Sequence, residues 1–186
     1  MRLSRLVPLL ATLLVAALTL PVTAMAKDGF WSTPTIHGHG KIHYVADAAH
    51  KPDPSKVYKV VFTLTKPSKS PGQVNGSLDH IARTVNIFVA AGVPLDHLKI
   101  VAVAAGPATG IVLKNAHYRA EYGVDNPNLA LIHQLTKAGV EISVCAQAMG
   151  EHHYKYGWQA KDVTLSLSAL STVITLQNEG YALEPM

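Results

Sequence analysis

The sequence predicts an α/β domain in three layers, a mostly parallel five-stranded sheet held between helices. Three observations carry this. Short runs dense in β-branched residues alternate with longer runs whose apolar residues recur at three- and four-residue steps. The strand-like runs are apolar on both sides, as in a sheet covered on both faces. The stretches between them are long enough for helical crossovers, which are right-handed by default and leave neighbouring strands parallel.

The start of the 186-residue chain stands apart from that domain. Arg2 and Arg5 form a short positive region, an apolar run extends from Leu6 to Val22, and Ala24-Met25-Ala26 offers a small-x-small cleavage site. This is the pattern of a secretory signal peptide over residues 1–26, and it predicts a periplasmic or secreted protein. A retained anchor is the competing reading, against which Pro8, Pro21 and the cleavage-like site argue. With no adjacent Arg pair, general secretion is expected rather than a twin-arginine route. No later segment is long and apolar enough to span, so no stable membrane insertion is expected after cleavage. What remains, about 160 residues, suits one domain with a real core.

Arg2 and Arg5 supply half of the formal net charge of +4. No Lys/Arg run tracks a phosphate backbone, which argues against nucleic acid as a partner. The ten His residues can add charge below about pH 6.5.

Residues 27–56 read as an irregular N-terminal extension, punctuated by Trp31, Pro34, Gly38, Gly40 and a Lys51-Pro52-Asp53-Pro54-Ser55 turn. The domain proper is expected over 57–186. Val57–Thr65 is its first strand, with Val60, Val61 and Phe62 suiting a doubly covered sheet. After a polar loop, Leu78, Ile81, Val85, Phe88 and Val89 mark a helix that Asn75 or Ser77 can cap and Gly92 can stop. Leu98–Ala105 is the second strand, broken at Gly106-Pro107-Ala108-Thr109-Gly110. Helical stretches follow at about Ile111–Tyr118 and Pro127–Ala138, the latter stopped by Gly139. Val140–Cys145 is the third strand, leading into a short helix from Ala146. Val163–Ser166, Leu170–Gln177 and Tyr181–Leu183 complete the pattern as strand, helix and closing strand.

Several common α/β chemistries lack their fingerprints. There is no Gly-x-Gly-x-x-Gly after the first strand, no Lys-Ser/Thr after Gly106–Gly110, no Gly-x-Ser-x-Gly elbow and no Cys-x-x-Cys pair.

The chain has one cysteine, Cys145. It cannot form an internal disulfide, so it is buried and inert, paired with another molecule, or reactive. Its place at the carboxyl end of a strand, where open α/β sheets gather their chemistry, favours the last. Backbone N–H groups and the dipole at such a strand-to-helix junction favour negative charge on sulfur. A thiolate there can attack a sulfane sulfur and hold it as a persulfide. The competing reading is a small buried apolar side chain.

The segment Gly139-Val140-Glu141-Ile142-Ser143-Val144-Cys145-Ala146-Gln147-Ala148 resembles the cysteine-bearing segment of DsrE/DsrF-like proteins, nearest their exported, single-cysteine branch. Leu78–Asn86, Leu98–Ala105 with Gly106-Pro107-Ala108, and Gln177–Leu183 resemble that family too. The resemblance spans about Val57 to the C-terminus. It implies a compact, flavodoxin-like α/β arrangement, assembly into a homotrimer or homohexamer, and persulfide relay through Cys145 without a cofactor. The partner it implies is a sulfur donor or acceptor protein, or a small sulfane-sulfur compound. An exported location departs from the cytoplasmic relay members.

The histidines supply two further candidates. His37, His39 and His43 share parity, so an extended segment would turn three imidazoles to one face as a possible Zn, Cu or Ni site. Gly38 and Gly40 and the lack of a clear fourth ligand weigh against it. His152 and His153, beside Glu151, lie where a short helix would let one imidazole fold back toward Cys145, or they belong to a solvated loop. Tyr118, Tyr122 and Asn126 line the same mouth or only pack their loop. Three functions follow as expectations: sulfur handling on Cys145, a non-catalytic oligomeric binding module, and periplasmic metal binding through His37, His39 and His43.

Overall fold

In the computed structural model, residues 30–186 are described, and the expected signal peptide lies outside them. Five strands form one sheet: β1 (Tyr58–Leu64), β2 (Leu98–Ala104), β3 (Glu141–Cys145), β4 (Val163–Ser166) and β5 (Ala182–Pro185). All four pairings are parallel, in the order β4-β3-β2-β1-β5. The helices are α1 (Gly76–Ala90), α2 (Asn115–Tyr122), α3 (Leu129–Lys137), α4 (Ala146–Glu151) and α5 (Ala169–Asn178). The layers are those the sequence predicts. One connection departs from the flavodoxin order 2-1-3-4-5, because the strand outside β1 is the last of the chain rather than the second.

Winding explains the layers. From β1 to β4 the chain steps one way across the sheet, so right-handed crossovers lay their helices on one face; from β4 it returns past β1, which sends α5 to the other. Side-chain alternation agrees. Phe62, Leu64, Ile100, Ala102, Ala104, Ile142 and Val144 point into the main core with Leu78, Ile81, Val85, Leu131, Ile132 and Leu135 of α1 and α3. The opposite parity, Thr63, Val101, Ser143 and Cys145 among them, faces α5.

Local chemistry sets the helix ends. Asn75 caps α1, its side-chain oxygen accepting from the amides of Ser77 and Leu78. The stretch expected as one helix from Ile111 is instead a 3₁₀ run, Gly106–Val112, followed by α2. Pro107 near its start and Asn126, which donates to the carbonyls of Ile111 and Leu113, hold that region to short turns. Asn126 in turn accepts from Asn128, whose side-chain oxygen accepts from the Asn75 amide. This buried asparagine relay ties two loops to the start of α1.

The N-terminal extension is irregular but seated. Ile36 and Ile42 are buried, and Ser32 and Ile42 form an antiparallel bridge. Asn86, at 0% exposure, accepts from the amides of Thr35 and Ile36 and donates to the carbonyls of His39 and Gly40. Gly40 has φ +58°, and a Cβ there would sit 2.1 Å from the Arg83 nitrogen, so the extension lies directly on the α1 backbone.

Asn86→Ala removes the hydrogen-bond partner of four backbone groups in the N-terminal extension, two of them in buried bonds, and is expected to cost roughly 2–4 kcal/mol. Urea unfolding of both proteins measures it, and limited proteolysis should cut the variant first within residues 30–44.

Candidate functional site

Cys145 is both the last residue of β3 and the N-cap of α4, with φ −68° and ψ 119°. Strand geometry delivers the chain to this point, and the helix then begins with its amides turned toward the cap. The Ala148 N–H donates to Sγ at 3.5 Å, a normal length for a sulfur acceptor. The residue is 5% exposed. The residue nevertheless lines a cavity of about 520 Å³, within the range of small-molecule sites.

That cavity opens at the carboxyl ends of the strands, where ligands gather in open α/β sheets. Thr63 and Thr65 come from the end of β1, Ala105 and Gly106 from the end of β2. Gln147, Ala148 and Glu151 come from α4, and Ser168, Ala169, Leu170, Val173 and Ile174 from α5 and its cap, with Leu183 of β5 at the margin. Ser166 of β4, next to Cys145 in register, marks where the winding changes face. Gly106 has φ +51°, and its carbonyl accepts from both Thr109 Oγ1 at 2.7 Å and His152 Nε2 at 2.9 Å. A carbonyl only accepts, so Nε2 of His152 carries the proton.

The expected histidine partners are elsewhere. His152 is held between the Gly106 carbonyl and the Tyr154 ring, stacked at 5.3 Å. It braces the loop after β2, and the bond given to Sγ among the described residues is from an amide. His153 takes a left-handed conformation, φ 57°, one residue past the C-cap of α4, with its side chain exposed. Neither completes a Cys–His pair.

His37, His39 and His43 do not converge, which corrects the expectation of a shared face. The segment turns instead of extending: the His39 amide donates to Ile36 O, and Gly38 and Gly40 have φ of +79° and +58°. His37 Nδ1 lies 3.3 Å from Thr33 O, His39 Nδ1 3.8 Å from Asp79, and His43 Nδ1 2.7 Å from Phe30 O with its ring stacked on Phe30. Among the described residues no three His, Cys, Asp or Glu side chains form a group able to hold a metal. Nor is any described helix long and apolar enough to cross a membrane.

Tyr118, Tyr122 and Asn126 pack their loop rather than line the Cys145 cavity. Tyr118 donates to Pro71 O, and Tyr122 meets the Tyr154 hydroxyl at 3.4 Å. Burial, and then the Tyr122 hydroxyl, hold Tyr154 above the ordinary phenol range. A larger cleft of about 650 Å³ opens beside Lys66, Lys69 and the start of α1. It contains no cysteine, and the amide of Ser77, which lines it, is already taken by Asn75.

Sequence reasoning missed Thr63, Thr65 and the α5 wall. Ala169, Leu170, Val173 and Ile174 carry a helical stripe that reads as core packing, and only the return of α5 across the sheet converts it into a cavity wall.

A family model described as the DsrE/DsrF-like family matches residues 58–183. Among solved structures, the chain resembles a protein of unknown function, MTH1491, from Methanobacterium thermoautotrophicum. The TM-score is 0.51 at 19% sequence identity, covering 69% of this chain and 99% of that one. At such identity the likeness speaks to the fold. No curated protein matches.

A cysteine that is nearly buried yet lines a cavity should discriminate by reagent size. Iodoacetamide is expected to modify Cys145 in the folded protein, and fluorescein maleimide to react at least about tenfold more slowly until urea is added. Mass spectrometry of the intact protein reads both.

Proposed function

The chain belongs to the DsrE/DsrF-like family, a family associated with sulfur relay, and on that footing we propose that it handles sulfur by forming and passing on a persulfide at Cys145. The observation that carries this is the Ala148 amide directed at the Sγ of a cysteine that lines an open cavity. Negative charge on sulfur is met there by a donor already in place, with no reorganisation needed at the moment of attack.

The chemistry needs little else. The thiol proton leaves to solvent, Sγ attacks a sulfane sulfur, and the donor leaves as a thiolate. The same sulfur is then open to an acceptor nucleophile entering by the same mouth. No cofactor takes part in these steps. Donor and acceptor are a protein persulfide or a small sulfane-sulfur compound.

Two further parts of the reading rest on separate features. The pattern of residues 1–26 supports export, hence a periplasmic or secreted place of action. Leu167 at 74%, Leu170 at 77% and Ile174 at 60% exposure form an apolar surface around α5, which supports a homo-oligomer as the working state, and the family resemblance implies a trimer or hexamer. That surface also favours the second reading, an assembly module in which Cys145 is structural. The thiol decides between the two.

On treatment with inorganic polysulfide, the purified protein should gain about 32 Da per sulfur at Cys145, and Cys145→Ser should gain nothing. Absence of any sulfur adduct from the wild type, with inorganic polysulfide and with neutral organic trisulfide alike, would leave the assembly reading in its place. For the oligomer, Leu170→Lys with Ile174→Lys is expected to shift the sedimentation profile from trimer or hexamer to monomer, and an unchanged profile would move the interface away from α5.

A further inference from the structure

We propose that the Cys145 cavity takes uncharged organic polysulfanes, R–S–S–S–R, as sulfur donors in preference to anionic ones. This rests on Cys145 as a sulfur acceptor and names its substrate class. Leu170, Val173 and Ile174 of α5 give the cavity an apolar wall, continued by Leu183 of β5. The polar lining is neutral apart from Glu151, the only charged side chain there among the described residues. His152 spends its Nε2–H on the Gly106 carbonyl and is not part of the lining.

An anionic donor, such as an inorganic polysulfide or a carboxylated persulfide, would give up part of its hydration against that wall, beside a carboxylate and with no cationic side chain in the lining. A chain of divalent sulfur between alkyl groups is apolar and polarizable, and gains from contact with the same leucine, valine and isoleucine side chains. Charge thus separates the two donor classes before chemistry begins.

The transfer balances without an outside oxidant. Deprotonated Sγ attacks the central sulfur of the trisulfide, an Sγ–S bond forms, and the central-to-outer S–S bond breaks with its electron pair leaving on R–S⁻. That alkylthiolate attacks the outer sulfur of the Cys145–S–S–S–R adduct, giving R–S–S–R and leaving Cys145–S–S⁻. One sulfane sulfur has moved, and the donor departs as a disulfide.

The test compares dipropyl trisulfide with bis(2-carboxyethyl) trisulfide, donors of similar size that differ in charge. Rates of sulfur addition to Cys145 are followed by mass spectrometry and normalised to each reagent's rate with free cysteine. The neutral donor should be faster by about tenfold or more, and Glu151→Gln should raise the rate of the carboxylated one. A normalised ratio below that level, or no gain in Glu151→Gln, overturns the substrate assignment. Sulfur addition from inorganic polysulfide alone overturns it too while leaving Cys145 as an acceptor; addition from none of the three removes the acceptor role as well.

Discussion

The two-residue repeat of β3 governs this molecule. Ile142 and Val144 must enter the main core, so Ser143 and Cys145 must turn the other way. A slip of one residue against β2 would drive Cys145 into hydrocarbon and lift Val144 out of it, which is why the register Val101 to Glu141 through Ala104 to Val144 matters. The sulfur's access follows from packing demanded by its neighbours, not from any property of its own.

The two faces of the sheet are built to different standards. One is sealed by α1 and α3 over a continuous core. The other is covered by α5, every residue of which keeps some exposure. A helix so lightly held has few buried contacts to resist local opening, the condition under which binding walls move. Placing the cavity beneath α5 therefore puts the sulfur on the adaptable side of the protein, while the α4 amide that faces it is anchored from the core by Met149. The cavity thus joins a rigid donor to a compliant wall.

Buried amide side chains do the joining that apolar contacts cannot. Asn86 seats the N-terminal extension on α1, and Asn75, Asn126 and Asn128 lock the loops at the carboxyl edge of the sheet. Each supplies donors and acceptors to irregular backbone that has no ladder to join. The same turns that let Asn86 reach this extension scatter His37, His39 and His43, since a segment reversing at Gly38 and Gly40 has no common face.

The strands and helices were legible because hydrophobic period is a local property: all five strands and the helices at Asn75, Leu129, Ala146 and Ala169 stand within a few residues of where their patterns place them. The junction at Cys145 was legible for the same reason, as a strand pattern stopping where a helical one starts. Tertiary structure alone decided the rest. Parity against neighbours chose the face of the sulfur, and the return of α5 across the sheet made a wall from an ordinary apolar stripe. His152 went to a carbonyl forty-six positions earlier in the chain. Such contacts join residues that no window of sequence contains together, and they are settled only when the whole chain competes for the same space.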